Sequence, residues 1–146
     1  MESKLTIKEI AHQSPEYEEA VEFRRKILRI PLGLDLTKEE LDKEVSDMHY
    51  AGFLDGQLVA GAILSKLNDD EIKMRQVFVD ENKQGKGLGT ELVKALEALS
   101  KEKGFKTMVI QPRKSAVGFY EKLGFIIEGD EYMANGIPHN KLTKKL

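Results

Sequence analysis

A strand, a glycine-rich turn and an amphipathic helix follow one another between Ile72 and Gly104. Apolar and polar side chains alternate from Ile72 to Val79, which predicts a strand. Gly104 follows the helical segment as its predicted C-cap. The turn runs from Gln84 to Thr90, and an apolar stripe then recurs at helical spacing, at Leu88, Leu92, Ala95, Leu96 and Leu99. This order predicts a strand–turn–helix unit whose helix begins at the glycine-rich turn.

Signals on both sides of this unit predict the rest of a single α/β domain over residues 1–146. Asp55-Gly56 and Asn135-Gly136 predict tight turns between strands. The predicted helices cover residues 15–30, 41–47, 88–103 and 115–123. The predicted strands cover residues 5–10, 50–54, 58–67, 72–79, 107–110, 125–127 and 137–142. The central strand–helix–strand unit should have parallel strands and a right-handed crossover, since such connections almost always do.

Composition excludes several classes of chemistry. The chain contains no cysteine, which rules out disulfides, thiolate metal ligands and a cysteine nucleophile. Its formal charge of −2 argues against an overall basic surface for nucleic acid, and its three scattered histidines predict no metal site. Residues 1–7 lack the apolar segment of a signal peptide, and no apolar stretch reaches membrane-spanning length. We therefore expect a cytoplasmic protein with no nucleic-acid, membrane or metal partner.

The glycine-rich turn predicts an anion site. The first N–H groups of a helix have no intrahelical acceptors, and the helix dipole adds positive potential there. The spacing excludes two familiar phosphate loops. Lys86 is followed by Gly87 rather than by the hydroxyl residue of a P-loop. Gly85, Gly87 and Gly89 are each two residues apart, which is not the spacing of a dinucleotide-binding fingerprint.

Two motifs resemble those of one family. Gln84-x-x-Gly87-x-Gly89 resembles the acyl-CoA loop of the GNAT N-acetyltransferases, and residues 115–125 are similar to that family's Ala-x-x-x-Tyr-x-x-x-Gly-Phe helix. The order of elements along nearly the whole chain also matches, and residues 136–139 resemble the ElaA-like branch. The resemblance implies the GNAT (acyl-CoA N-acyltransferase) fold: an α/β domain with a mixed, mostly antiparallel sheet, a central βαβ unit and flanking helices.

The resemblance implies acetyl-CoA as a co-substrate, with no metal. The pantetheine arm would pair with the backbone of Val77, Phe78 and Val79, as an extra strand would. Gln84 would shape the loop, and backbone N–H groups of the next six residues would hold the diphosphate: Gly85, Lys86, Gly87, Leu88, Gly89 and Thr90.

Residues after the following strand complete the implied cofactor contacts. Gln111 would bind the cofactor or the acyl carbonyl, or would cap the next helix. Lys83, Lys86, Arg113 and Lys114 are candidates for the remaining phosphate. Arg113 stands where the family often has an asparagine, which puts that family contact in doubt.

The resemblance assigns Tyr120 as the catalytic acid that protonates the leaving thiolate. Because Phe119 and Tyr120 are adjacent on a helix, only one can face the core squarely, and we expect Phe119 in the core and Tyr120 in the cleft. The residues leave three candidates for the base, namely Glu71, His49 and His139. No sequence feature selects among the three; we name His139 as the candidate base, a residue type that titrates near neutrality. His12 we expect at the surface.

The absence of cysteine favours direct acetyl transfer in a ternary complex, with the backbone N–H of Val79 polarising the thioester as in relatives. The expected acceptor is a primary amine of a small molecule or peptide. Arg24, Arg25 and Arg29 favour either a carboxylate-bearing acceptor or ordinary surface ion pairs. The alternatives are a catalytically silent acyl-CoA sensor and a nucleotide-phosphate binder. Relatives also suggest a homodimer through residues 126–142.

Overall fold

The computed structural model describes residues 5–146, so the first four residues of the predicted domain and of the N-terminal segment lie outside it. The chain divides into two compact units. Unit 1 comprises the described part of Met1–Ser65 together with Gln76–Ala95. Unit 2 comprises Lys66–Arg75 and Leu96–Leu146.

The secondary structure follows the predicted order, with differences near the C-terminus. The helices are α1 (Pro15–Arg24), α2 (Lys38–Asp42), α3 (Leu88–Glu102) and α4 (Val117–Lys122). A π-helical turn (Arg25–Arg29) and a 3-10 turn (Ile30–Leu32) continue α1, and further 3-10 turns cover Glu81–Lys83 and Lys114–Ala116. The strands are β1 (Thr6–Ile10), β2 (Met48–Leu54), β3 (Gln57–Lys66), β4 (Glu71–Val79), β5 (Thr107–Ile110), β6 (Ile126–Ile127), β7 (Tyr132–Ala134), β8 (Ile137–His139) and β9 (Leu142–Lys145).

Unit 1 is built on strands β1, β2 and β3 and the last residues of β4, in that spatial order. β1 pairs antiparallel with β2, and β2 pairs antiparallel with β3. The predicted turn at Asp55-Gly56 is confirmed, with φ of +51° and +79° at its two residues, as a tight hairpin requires. α1 buries apolar side chains against this sheet; the core cluster contains Ala20, Ala51, Leu58 and Phe78.

A glycine of β3 makes room for the largest ring of this core. A Cβ built on Gly61 would lie 2.5 Å from Phe78 Cε2, a separation that no real Cβ tolerates. Phe78 is buried and stacks on Phe23 of α1 with ring centroids 5.6 Å apart. The glycine therefore lets α1 and β4 share one aromatic contact.

Unit 2 contains the predicted parallel pair. Glu71, Ile72 and Lys73 of β4 lie in register with residues 107–109 of β5, and β9 pairs antiparallel with both β5 and β6. Together with unit 1, this confirms a mixed, mostly antiparallel α/β architecture. The exposed Ile126 and Ile127 of β6 belong to the region of the predicted homodimer contact, which stays a prediction.

The C-terminal strands differ from the prediction. Asn135-Gly136 does form a turn, with φ of +53° and +74°, but it joins β7 to β8 in a separate two-stranded sheet. The predicted strand over 137–142 is wrong, because β8 ends at His139 and β9 begins at Leu142. The second helix also differs: it begins just after the Thr37 cap and ends at Asp42, earlier than predicted.

Candidate functional site

The loop after β4 is closed onto the end of that strand by its own side chains. Gln84 Nε2 donates a hydrogen bond to the backbone oxygen of Val79 at 3.0 Å. The side chain of Asp80 accepts from the N–H of Asn82 at 3.1 Å, and its carbonyl accepts from the N–H of Lys83 at 2.8 Å. These bonds tie the loop before α3 to the end of β4.

The backbone at the start of α3 has the geometry of an anion site. Gly85 and Gly87 have φ of +82° and +78°, and a Cβ at either position would meet nothing within 4 Å. The N–H of Glu91 donates to Gly87 O at 3.1 Å, so the N–H groups just before it precede the first intrahelical bonds. The two glycines leave the backbone accessible, and the N-terminal end of the α3 dipole adds positive potential. Both features favour binding of a diphosphate.

Unit 1 also places the predicted pantetheine segment directly before this loop. Val77, Phe78 and Val79 are the last residues of β4. The residue before them, Gln76, has φ of +54°, which is rare for a residue with a side chain and marks a local irregularity of the strand. Such outliers cluster at ligand sites, so the strained position draws attention to this end of β4.

The expected division of the aromatic pair on α4 is wrong for Phe119. Phe119 is 38% exposed, whereas Tyr120 is 7% exposed. Tyr120 packs edge-on against both Phe119 and Phe125, with centroid distances of 4.9 and 5.7 Å. The chain turns sharply after α4, and the N–H of Phe125 donates to Tyr120 O at 3.1 Å. Burial raises the pKa of Tyr120 to about 12.

Unit 2 brings three of the predicted residues around a tyrosine that the sequence analysis missed. His139 stacks on Tyr132 with centroids 5.7 Å apart, and Gln111 hydrogen-bonds to the Tyr132 side chain. Burial raises the pKa of Tyr132, and the bond from Gln111 opposes that rise. Arg113 forms an isolated β-bridge with His139. His139 Nδ1 lies 2.8 Å from the carbonyl oxygen of Ile137; the carbonyl can only accept, so neutral His139 carries its proton on Nδ1.

The other two candidate bases are engaged in structural contacts. Glu71 Oε1 accepts from Asn68 Nδ2 at 2.8 Å, within the turn between β3 and β4. His49 is 5% exposed, and its Nε2 lies 2.9 Å from the backbone oxygen of Glu44. His12 is not a surface residue as expected: it is only partly exposed, and its Nε2 is buried.

The expectation of surface ion pairs is wrong for Arg24. Its guanidinium donates to both oxygens of Glu44 at 2.9 Å, and both residues are 3% exposed. Arg25 pairs with Asp35 and Glu22, and Arg29 pairs with Glu40. The three guanidinium groups are thus taken by carboxylates of this chain. Glu44 was missed, although Arg24 continues the buried spacing of the helix after Tyr17, Ala20 and Val21.

Comparison with known proteins identifies the family. The profile of the acetyltransferase (GNAT) domain matches residues 11–146. The chain belongs to the GNAT family. Its sequence relatives include YyaT of Bacillus subtilis (strain 168), 36% identical over 74 residues, which are 51% of this chain and 50% of that protein. The chain's match thus spans about half the length of the first curated relatives.

Solved structures confirm the GNAT fold. A provisionally named N-acetyltransferase from Lactobacillus plantarum is 21% identical, with a TM-score of 0.85 over 97% of this chain and 98% of that one. A GNAT acetyltransferase from Elizabethkingia anophelis, with acetyl-CoA bound, is 22% identical with a TM-score of 0.75 over 97% and 98%. Escherichia coli ElaA is 21% identical with a TM-score of 0.74 over 97% and 99%.

Metal-ligand clusters and membrane-spanning helices are both absent from the part of this GNAT domain that the structure describes. Among residues 5–146, no group of three or more His, Cys, Asp or Glu side chains could hold a metal ion. No helix in the same range is long and apolar enough to cross a lipid bilayer.

Proposed function

We propose that this protein is an acetyltransferase that moves the acetyl group of acetyl-CoA directly to a primary amine. The observation that carries the proposal is the loop of unit 1, where Gln84 holds the end of β4 and two glycines with positive φ lead into α3. The GNAT family match and the acetyl-CoA bound by the Elizabethkingia relative support it. We take residues 1–146 as one acetyltransferase domain, cytoplasmic, acting on a small-molecule or peptide amine.

Backbone groups of unit 1 hold the co-substrate in this proposal. The amide-bearing pantetheine arm pairs with Val77–Val79, and the diphosphate accepts hydrogen bonds from N–H groups of residues 85–90. The exposed Lys86 and the partly exposed Lys83 supply positive charge at the same loop. In this proposal, Gln111 and Arg113 of unit 2 provide the remaining polar contacts to acetyl-CoA.

The reaction is one displacement at the thioester carbonyl. The lone pair of the neutral amine attacks the carbonyl carbon, a C–N bond forms, and the C–S bond breaks. The Val79 N–H donates to the carbonyl oxygen as negative charge develops there. The departing thiolate takes the proton of the Tyr120 hydroxyl, and the excess proton on the amine nitrogen passes to His139 Nε2. Tyr120 is then a phenolate and His139 an imidazolium, and return of one proton from His139 to Tyr120 through solvent restores both; no covalent enzyme intermediate forms.

His139 is the proposed base because its geometry leaves one nitrogen for the task. Its Nδ1 faces the Ile137 carbonyl at 2.8 Å, so neutral His139 has its lone pair on Nε2. His49 also has one ring nitrogen on a backbone carbonyl, but it is 5% exposed, whereas His139 is partly exposed. Glu71 Oε1 accepts from Asn68 in the turn between β3 and β4.

Replacing Gly87 with alanine should weaken acetyl-CoA binding at least about tenfold. The new Cβ is strained at φ +78° and occupies the open surface on which the diphosphate must lie. Isothermal titration calorimetry measures the dissociation constant. Gly56→Ala is the matched control, because Gly56 has φ +79° and equally open surroundings in the β2–β3 turn. An unchanged affinity in Gly87→Ala, or no heat with the wild-type protein at millimolar acetyl-CoA, overturns the proposed binding mode.

Replacing His139 with glutamine should lower kcat/KM by about 10²-fold, because the proton acceptor is lost. Thiol release from acetyl-CoA with a panel of primary amines measures the rate. Added imidazole should restore part of the activity, whereas Glu71→Gln should stay close to wild type. Normal turnover in His139→Gln excludes His139 as the base. Binding of acetyl-CoA without turnover of any amine supports the sensor instead.

A further inference from the structure

A small cavity lies inside unit 1, beneath α1. Its volume is about 10 Å³, which is close to the minimum that one water molecule needs. Most of its wall is apolar and buried, but five side chains with polar atoms also line it. Two members of the wall, Ile10 at the end of β1 and Gln76 within β4, are partly exposed to solvent, and the others are buried. The lining residues with polar side-chain atoms are Tyr17, Arg24, His49, Tyr50 and Gln76.

Polar atoms at this cavity have no hydrogen-bond partner among residues 5–146. They are the Tyr17 hydroxyl, Arg24 Nε and Gln76 Oε1. Nε2 of His12, which does not line the cavity, is also unpartnered, and the His12 ring lies 4.4 Å from that of Tyr17. Tyr17 and Arg24 are each 3% exposed. A buried polar atom without a partner costs roughly 1–3 kcal/mol, and folded proteins contain few of them. Several at one cavity indicate that a group from outside satisfies them.

The charges around the cavity determine what that group is. Glu44 neutralises the Arg24 guanidinium through two bonds of 2.9 Å. Burial, followed by the charge of Glu44, raises the pKa of Tyr17, so its hydroxyl stays protonated. The Arg24–Glu44 pair and the protonated Tyr17 hydroxyl therefore add no net charge to the cavity. Arg24 Nε and the Tyr17 hydroxyl can donate, and Gln76 Oε1 can accept. A neutral, water-sized group that both donates and accepts fits, and that group is a hydroxyl.

Charged groups fit less well. An ammonium has nothing to offer Arg24 Nε, since both only donate. A carboxylate is larger than the space and only accepts, so it leaves Gln76 Oε1 without a donor. A water molecule has the same hydrogen-bonding capacity as the hydroxyl and fills the cavity when no acceptor is present.

We propose that the acceptor is a hydroxyl-bearing primary amine, an amino alcohol or amino sugar, and that its hydroxyl enters this cavity. The inference rests on the proposed function, because Gln76 directly precedes Val77–Val79, the segment that holds the pantetheine arm in that proposal. A hydroxyl bound at Gln76 holds an amine a few bonds away beside the thioester. Tyr17, Arg24 and Gln76 then determine acceptor specificity.

The test compares amines that differ only in the hydroxyl. Thiol release is measured with 2-aminoethanol, 3-aminopropanol and 4-aminobutanol, with the alkylamines of equal length, and with 3-aminopropionate and 4-aminobutanoate. We expect the best amino alcohol to exceed its alkylamine at least about tenfold in kcat/KM, mainly through KM, because the hydrogen bonds act on bound substrate before reaction. The amino acids should be the poorest acceptors. Equal rates for alcohols and alkylamines, or a preference for carboxylates, overturn the proposal.

Tyr17→Phe is the decisive variant, because it removes the unpartnered hydroxyl and keeps the ring. In this variant the kcat/KM of an amino alcohol should lie within about threefold of that of its alkylamine. Comparing this ratio of kcat/KM values between variant and wild type cancels the difference in chemical reactivity between the two amines. Tyr50→Phe is the matched control. Tyr50 is also a buried tyrosine of the cavity wall, but its hydroxyl already contacts Met48 Sδ at 4.0 Å, so the preference should survive. A preference unchanged in Tyr17→Phe contradicts the assignment.

A binding measurement separates this inference from the proposed function. Thermal unfolding is followed without acetyl-CoA, in the presence of each amino alcohol or its alkylamine. The amino alcohol should raise the melting temperature of the wild type and of Tyr50→Phe but not of Tyr17→Phe. If this pattern holds while no amine is acetylated, the cavity assignment stands and the acetyltransferase proposal fails. If amines are acetylated but neither thiol release nor thermal unfolding shows a preference for amino alcohols that Tyr17→Phe removes, the cavity holds water only.

Discussion

Tyr120→Phe should lower kcat by about 10²–10⁴-fold, the usual contribution of a positioned general acid. The variant removes the one proton that the proposed mechanism delivers to the departing thiolate. It keeps the aromatic ring, so the edge-on contacts with Phe119 and Phe125 remain. Affinity for acetyl-CoA should change little, because the proposed binding groups are backbone amides of residues 77–79 and 85–90.

The buried setting of Tyr120 fixes its protonation state. Burial raises the pKa of its hydroxyl to about 12, so Tyr120 keeps its proton through neutral and moderately alkaline pH. The same burial makes the hydroxyl a weaker acid than an ordinary thiol, so Tyr120 acts by donating a hydrogen bond to the sulfur as the C–S bond breaks, and its proton moves only with that cleavage. Single-turnover thiol release, with the affinity from calorimetry, separates the chemical step from binding.

A control at the neighbouring position addresses packing. Phe119→Leu alters the same aromatic contact but removes no proton donor, and Phe119 is already 38% exposed. It should keep kcat within about threefold of wild type. Equal losses in the two variants would mean that Tyr120 acts through packing alone, and a Tyr120→Phe enzyme with normal kcat would remove it from the mechanism.

The features that could be predicted from sequence are those governed by local chemistry. The turn at Asp55-Gly56 needs two residues that accept positive φ, and the structure has +51° and +79° there. The loop at residues 84–90 likewise shows its glycine spacing directly in the sequence. Strand β4 was found because its apolar residues alternate up to Phe78. In each case neighbours in sequence determine the conformation.

The predictions that were wrong concern side chains whose burial is determined by tertiary contacts. α4 has six residues, so sequence alone cannot say which of two adjacent aromatics is buried. The turn at Gly124 brings Phe125 against Tyr120, and this contact determines that Tyr120 is the buried aromatic. Arg24 was expected at the surface among nearby glutamates, but its partner Glu44 lies twenty residues away. The helical spacing from Tyr17 did place Arg24 on the buried face, and a buried arginine requires a carboxylate.

Glu44→Gln should lower the free energy of unfolding by about 3–5 kcal/mol, because it leaves the Arg24 charge buried without its carboxylate. Both residues are 3% exposed and joined by two bonds of 2.9 Å. Urea unfolding followed by circular dichroism measures the change. Glu39→Gln is the control: Glu39 pairs with Lys43 at 3.8 Å in a fully solvated setting, and its loss should be barely measurable. Equal midpoints for the two variants contradict the prediction.

A double variant separates the two roles of this ion pair. Arg24→Met combined with Glu44→Leu replaces both charges by apolar groups of similar size, which typically restores stability or increases it. The same variant removes Arg24 Nε from the cavity, so any preference for amino alcohols should remain impaired in the restored protein. Recovery of stability without recovery of specificity would show that the pair is retained for recognition of the acceptor. If neither recovers, the pair is needed for folding itself, because its geometry then holds α1 in place.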